Sequence, residues 1–336
     1  MTIYDISEKA GVSIATVSRV LNGNANVKPK TKKKVMDVIE EYSYTPNAFA
    51  RGLGLNTMNT IGILCADSSD LYLAKAVYYI EQLLRENGYN SILCCTGYDT
   101  ATKKSSMELL LSKRVDSVIM VGSNFISDIS EENQYIRDAA QQVPIMLLNA
   151  DFDYPNVYCT LCDDYKSILE ATQFLFQSGA QNVLYLYNSQ SYSGLKKLSG
   201  YQSAVLQSGH DFRPEYIQLY QGEREDIEAI TDFLIQLNAN GLDFDGIIAS
   251  DDILAMGAIK YGRYKGLFMP DDFAVIGYNN SLLTSCCEPP LTSVDSKLNT
   301  LCVQLVKTQM GVLTGTDMPQ KVIFSGELIK RGTTRS

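Results

Sequence analysis

The sequence contains a single histidine, His210, and that scarcity closes several lines of chemistry at once. One imidazole excludes zinc sites built on two or more histidines and leaves little room for a Ser-His-Asp hydrolase. His210 lies in Ser208-Gly209-His210-Asp211, which reads as a turn. No uncharged apolar run approaches the roughly 18–20 residues that span a bilayer. Met1–Asp5 carries no basic stretch leading into an apolar one, so a secretory signal is not expected and a cytoplasmic protein is. Nucleotide motifs are equally scarce. No phosphate-cradling GxxxxGK loop occurs, and Gly52-Leu53-Gly54 lacks both a third glycine and a preceding strand.

Cysteine is present but poorly arranged for chemistry. The eight residues fall at 65, 94, 95, 159, 162, 286, 287 and 302. Cys159-x-x-Cys162 has no second such pair to complete a zinc site, and the adjacent pairs Cys94-Cys95 and Cys286-Cys287 make a poor disulfide framework. Most sit in apolar, strand-like stretches, where a reduced cysteine packs as a small hydrophobe. No metal or cofactor is expected.

What remains is an ordinary globular composition, 45% apolar and 20% charged, over 336 residues. At ~150 residues per domain that length suggests about two domains, or two lobes with a small module. The net charge of -9 is unevenly spread. Residues 1–60 hold eight basic residues, among them Lys32-Lys33-Lys34, against five acids, a local +3 that leaves -12 on the rest. A basic head on an acidic body points to a polyanionic partner, although a chance cluster on a solvated helix face would give the same excess.

Residues 1–45 read as three short helices. Thr2 can cap the first, with Asp5 three residues on, and Ile6 and Ala10 supply its apolar face. Gly11-Val12-Ser13 interrupts it, and Ser13 can cap a second helix that runs to about Leu21. A third starts near Pro29, with Val35, Val38, Ile39 and Tyr42 on one face. Ala10 to Asn22 has helix-turn-helix grammar: Gly11 for the turn, Val12 and Val17 between the helices, and small or polar residues facing outward. Such a helix can enter a major groove about 12 Å wide. Arg19 can then donate two hydrogen bonds to guanine, and Ile14 and Ala15 can meet thymine methyls. Thr2, Ser13, Thr16, Asn22 and Asn26 suit phosphate contacts. An amphipathic three-helix cap without a DNA role is the plainer alternative. Residues 46–59 look like a linker with some helical character, too short to hold a helix without a partner.

From Thr60 onward short apolar strands alternate with amphipathic helices. Strands are expected at 60–66, 91–95, 116–122, 144–148, 182–186, 246–249 and 274–277. Helices are expected at 73–87, 101–112, 165–178, 195–207 and from Asp251. This is βαβ repetition, and its restart after Pro144–Leu148 suggests two lobes of parallel sheet. Ligands of such sheets sit beyond the carboxyl ends of strands.

On these motifs the sequence resembles the LacI/GalR transcriptional regulators along essentially the whole chain. Thr2–Ile6 through Ser18–Gly23 is similar to that family's DNA-binding signature, its head most like the catabolite control protein branch. Tyr44-x-Pro46-Asn47-Ala48-x-Ala50-Arg51-Gly52-Leu53 resembles its hinge helix. Asp251-Asp252-x-x-Ala255-Met256-Gly257-Ala258, Pro270–Tyr278, Pro290–Val294 and Glu327–Thr334 resemble its core. The resemblance implies a helix-turn-helix head (1–45), a hinge (46–59) and a two-lobed, periplasmic-binding-protein-like core (60–336), an α/β architecture. It further implies a homodimeric repressor of carbohydrate-related genes. Ile14, Ala15 and Arg19 would read bases of a palindromic operator, Asn47 and Ala50 would belong to the DNA-contacting hinge, and Leu53 would wedge into the minor groove.

By the same resemblance a small-molecule effector occupies the interlobe cleft, at Asp70, Tyr72, Asn149, Lys197, Arg224, Asp251 and Asn279. Two positions depart from the family's pattern. Lys197 stands where an arginine is usual, and Asn279 where an aspartate is usual. Together with Arg224 these changes raise the expectation of an anionic ligand, a sugar phosphate or sugar acid, over a plain sugar. Otherwise Lys197 keeps the usual role and Arg224 points to solvent. A phosphoprotein corepressor is the alternative, but recognition of phosphoserine needs clustered cations, and none lies between Lys265 and Lys297. A two-lobed binding protein or enzyme is the remote rival. Its carboxylate pairs, Asp163-Asp164 and Asp251-Asp252, are by resemblance helix caps and ligand acceptors, so no enzymatic activity is expected.

Overall fold

The computed structural model describes residues 1–21, 26–44 and 57–335. The head consists of α1 (Ile3–Ala10), α2 (Ile14–Leu21) and α3 (Pro29–Glu41). Thr2 and Asp5 form a reciprocal capping box, in which the Thr2 amide donates to Asp5 Oδ2 at 2.7 Å. Gly11 ends α1 in the left-handed region, φ 59°, where a β-carbon is disfavoured, and this turn aims α2 across α1. Ile6, Ala10, Val17, Val20 and Val35 are buried together, with Val12, Val38 and Ile39 packed around them. Tyr42 departs from expectation. It lies beyond the last turn of α3, is exposed, and meets Lys9 Nζ 4.3 Å from its ring centroid.

The core is two six-stranded sheets. The first runs β11-β5-β4-β3-β1-β2, from β1 (Thr60–Cys65), β2 (Asn90–Cys95), β3 (Ser117–Val121), β4 (Ile145–Leu148), β5 (Val157–Cys162) and β11 (Lys321–Phe324), all parallel. The second runs β12-β10-β9-β8-β6-β7, from β6 (Val183–Tyr187), β7 (Ile217–Leu219), β8 (Gly246–Ala249), β9 (Ala274–Tyr278), β10 (Thr292–Asp295) and β12 (Glu327–Ile329). Only β12 in that sheet is antiparallel, against β10. Strands β3, β4, β6, β8 and β9 are buried along their whole length, as helices on both faces require.

Those helices are α4 (Leu71–Glu86), α5 (Thr100–Ser112) and α6 (Gln134–Ala140) in the first lobe. The second lobe has α7 (Asp164–Gln177), α8 (Tyr192–Gln207), α9 (Ile227–Ala239), α10 (Asp252–Tyr264) and the short α11 (Leu283–Cys286). The last long helix, α12 (Leu298–Leu313), returns to the first lobe and buries Leu301, Cys302, Leu305 and Val306 against α4, β4 and β5.

The expected simple restart after Leu148 therefore needs correction. The chain leaves the first lobe only after β5, returns with α12 and β11, and crosses again to β12. Helix α8 also starts earlier than expected, at Tyr192, because Ser191 caps it by accepting from the Gly194 amide. Among the described residues no helix is long and apolar enough to cross a membrane, and no cluster of three metal-ligating side chains occurs. The eight cysteines are free, and burial pushes the thiols of Cys65, Cys159 and Cys162 up to about 11.

Candidate nucleic-acid interface and effector cleft

On the head, burial of Val17 and Val20 turns the opposite face of α2 outward, and Ser13, Ile14, Ala15 and Arg19 are exposed along it. Ser13 is its cap: its Oγ accepts from the Thr16 amide at 3.2 Å and lies 2.9 Å from Thr16 Oγ1. Thr2 and Asn26 are exposed, and so are Lys32, Lys33 and Lys34 on α3. Asn22, Asn47, Ala50 and Leu53 fall outside the described residues. A protruding helix with an arginine and two small apolar side chains on its outer face is a shape that a major groove accepts.

In the core all seven expected effector residues line one cleft between the lobes. The sheets account for this convergence, because most of these residues stand just past the carboxyl ends of parallel strands. Asn149 and Asn279 follow β4 and β9 with φ of 59° and 95°, a backbone that asparagine tolerates better than most residues. Asp70 caps α4 by accepting from the Tyr72 and Leu73 amides, each at 2.9 Å. Asp251 caps α10 and also accepts from Asn188 Nδ2 at 2.7 Å. Asn149 donates to Tyr72 Oη at 2.9 Å and accepts from the Cys162 amide at 3.0 Å.

Lys197 is carried by α8, which approaches α7 so closely that a β-carbon on Gly200 would stand 2.3 Å from the Tyr165 carbonyl oxygen. Its side chain is only 8% exposed. Nζ donates to the Ser250 carbonyl at 3.0 Å and lies 3.6 Å from the centroid of the Tyr278 ring. Tyr278 in turn donates its hydroxyl to Asp164, which also accepts from Ser193 Oγ at 2.5 Å. Burial pushes the Asp164 carboxyl above its usual range, while the charge on Lys197 and the two hydroxyl donors pull it back. Lys197 is thus a compensated buried cation.

Arg224 does not point to solvent. It reaches from the second lobe to the first, where Nη1 lies 3.8 Å from Asp70 Oδ2 and donates to Tyr98 Oη at 3.0 Å. Burial raises the Asp70 carboxyl and Arg224 opposes that rise. A second bridge between the lobes runs from Ser123 Oγ to Ser191 Oγ at 2.9 Å. Asn188 and Ser193 lie in the loop 187–193 and Tyr278 in the loop 278–280, strand ends where the sequence already points to ligands, but sequence alone assigns neither them nor Asp164 individually to the effector. Asp164 and Tyr278 also lie in motifs already singled out, the acidic pair at 163–164 and Pro270–Tyr278.

Comparison with known proteins identifies the family. Residues 2–47 match the family model for bacterial regulatory proteins of the lacI family. Residues 58–331 match that for periplasmic binding proteins and the sugar-binding domain of the LacI family. The chain belongs to the LacI family. Among its relatives, an HTH-type transcriptional regulator of Lachnoclostridium phytofermentans is 52% identical over 99% of both chains. Catabolite control protein A of Priestia megaterium is 33% identical, covering 88% of this chain and 87% of that one. A solved lac repressor dimer bound to operator and the anti-inducer ONPF shares the fold, with a TM-score of 0.88 at 23% identity over 100% of this chain and 99% of that one.

This LacI-family chain is a DNA-binding transcriptional regulator and not an enzyme, as its relatives are. Its paired carboxylates have structural roles that agree with that assignment. Asp163 and Asp251 cap helices, and Asp252 accepts from the Ser281 amide and from Ser293 Oγ, each at 2.6 Å.

Proposed function

We propose that this LacI-family regulator represses carbohydrate-related genes as a homodimer on a palindromic operator, and that a neutral sugar in the interlobe cleft sets its operator affinity. Operator reading is assigned to Ile14, Ala15 and Arg19, with Thr2, Ser13, Thr16 and Asn26 at phosphates. The effector is assigned to Asp70, Tyr72, Asn149, Lys197, Arg224, Asp251 and Asn279. The observation that carries the sugar reading is charge compensation. Lys197 stands in the field of Asp164, and Arg224 is paired with Asp70. An anion would have to compete with the Asp164 and Asp70 carboxylates for these two cations and would stand beside Asp251 as well. Hydroxyl groups face no such competition, since Asp251, Asn149, Asn188 and Asn279 offer acceptors and donors together. The anionic ligand raised by Lys197 and Arg224 in the sequence is therefore the less favoured class.

The Arg224 and Ser123–Ser191 bridges give the ligand a mechanical consequence. A molecule held by residues of both lobes adds to these two contacts and stabilises the closed arrangement, which is a differential affinity for one of two states. Thermal unfolding of the full chain with glucose, galactose, glucose 6-phosphate and gluconate tests the ligand class. A neutral sugar at about 100 times its Kd adds ~2.7 kcal/mol and raises Tm by a few degrees. A shift confined to the phosphate or the acid would overturn the neutral reading.

A further inference from the structure

Two of the eight cysteines stand opposite each other. Strands β1 and β2 run in register with Cys65 beside Cys95, and among the described residues this is the one ladder pair in which both members are cysteine. Residues opposite each other in parallel strands point to the same face of the sheet, so the two thiols share a face. Neighbouring strands lie about 4.8 Å apart, inside the roughly 4.4–6.8 Å between α-carbons that a disulfide tolerates. Cys94, the neighbour along β2, points to the other face and packs with the cluster of Leu64 and Ile136. Cys95 is exposed and Cys65 is fully buried. A dissolved oxidant therefore meets Cys95 first, with Cys65 held beside it. The pair also sits under the latch between the lobes. Asp70 follows Cys65 by five residues, Tyr98 follows Cys95 by three, and both hold Arg224. The two loops are laced together, the Thr96 amide donating to the Cys65 carbonyl at 2.8 Å and the Gly97 amide to the Ala66 carbonyl at 2.9 Å. Cys65 Sγ donates to the Asp67 carbonyl at 3.4 Å, so the thiol itself steadies the loop that leads to Asp70.

From this we infer that Cys65 and Cys95 form a reversible disulfide when hydrogen peroxide reaches Cys95, and that the bond loosens the hold of Asp70 and Tyr98 on Arg224. The Cys95 thiolate attacks one peroxide oxygen. The S–O bond forms as the O–O bond breaks, and the departing hydroxide takes up the proton that the thiol released. The Cys65 sulfur then attacks the sulfenic acid: the S–S bond forms, the S–O bond breaks, and hydroxide leaves as water with the Cys65 proton. Two thiols are oxidised and one peroxide is reduced to two waters; a dithiol reverses the bond by exchange. Burial, which holds the Cys65 thiol up at about 11, suits it to this second step rather than the first. Two changes then reach the latch. The oxidised Cys65 sulfur has no proton left for the Asp67 carbonyl. The β-carbons, spaced like the strands, must also draw in by about 1 Å to the ~3.8 Å of a disulfide. Strand β2 can make that movement because it lies at the edge of its sheet, bonded to β1, and it carries Tyr98 with it. The switch is independent of which ligand the cleft takes.

Peroxide treatment of the full chain, followed by peptide mapping in a mass spectrometer, tests the bond. The expected product is a Cys65–Cys95 peptide pair that dithiothreitol separates and that Cys95→Ser does not form. Cys95 left as the free thiol, oxidised to the sulfinic acid, or linked to Cys94 would overturn the pair. The latch is read with trypsin, which cuts after Arg224 only when that side chain leaves Asp70 and Tyr98. Cleavage there should quicken roughly three- to tenfold on oxidation, the scale of one charge-assisted hydrogen bond, and return to its first rate with dithiothreitol. Tyr98→Phe, which removes one partner of Arg224 without oxidation, should quicken the same cut. Peroxide should leave the rate in Cys95→Ser unchanged. A disulfide that does not alter cleavage after Arg224, or quickening that persists in Cys95→Ser, overturns the switch. Neither readout uses a ligand, so the failure of every neutral sugar to bind would count against the sugar reading alone.

Discussion

At Tyr278 a single hydroxyl connects the effector cleft to the chain's first crossing between lobes. Burial holds that phenol far above its usual range, so it stays a donor, and its acceptor is the fully buried Asp164 at the start of α7. Tyr278→Phe keeps the ring under Lys197 but strips Asp164 of one donor. The expected cost is about 1–3 kcal/mol in urea unfolding, with weaker effector binding; an unchanged midpoint would mean that water replaces the hydroxyl. Asp252 makes a pH prediction. Burial raises its carboxyl to about 6, against the donors Ser293 and Ser281. The native state therefore binds the proton more tightly than the unfolded chain, whose carboxyl titrates near 3.8. That contribution to stability is complete below the unfolded value and is lost as pH rises toward 6, on the order of 3 kcal/mol. Asp252→Asn should flatten the stability profile between pH 4 and 6. Residue roles of this kind were hard to read from sequence, since nothing local shows that Asp164 and Tyr278, 114 positions apart, meet.

Among the elements, those with strong terminal chemistry were legible and the others were not. Thr2, Gly11, Ser13 and Pro29 mark the ends of α1, α2 and α3, and each has the expected role. Helix α12 carries no such mark: Lys297 precedes it in the left-handed region with no side-chain cap, so its start depends on packing against α4. Strand β7 spans three residues, and β5 has no alternation to reveal it because almost every side chain is buried. Helix α8 supplies the prediction at this scale. Any β-carbon at Gly200 must push α8 away from the α7 backbone, so Gly200→Ala should destabilise by about 1–3 kcal/mol. It should also displace Lys197 and weaken effector binding more than a surface Ser199→Ala does. Equal effects of the two substitutions in denaturation and titration would show that the helices part without moving the site.

For the whole molecule, the two-lobed α/β class followed from the βαβ rhythm and the seven cleft positions from family resemblance, while the three crossings did not follow from either. Crossings are set by which lobe buries a given apolar face, and α12 finds its partner in α4, more than two hundred residues earlier. Charge distribution works at the same scale. A basic head on an acidic body makes operator binding strongly salt-dependent, since each neutralised phosphate adds a slope of about −0.9 in log–log form. Affinity should fall roughly a thousandfold or more between 50 and 200 mM salt for six or more phosphate contacts; binding insensitive to salt would contradict the assigned head.

The central claim is that a neutral sugar in the cleft controls the head. Its most direct test is fluorescence anisotropy on a palindromic operator selected from random duplexes. The operator is titrated with the full chain in the presence of the best-binding neutral sugar, or of the 6-phosphate of the same sugar. The neutral sugar is predicted to change operator affinity at least tenfold, with the phosphate nearly inert and the neutral effect abolished in Lys197→Ala. An operator affinity that responds to the phosphate alone would contradict it.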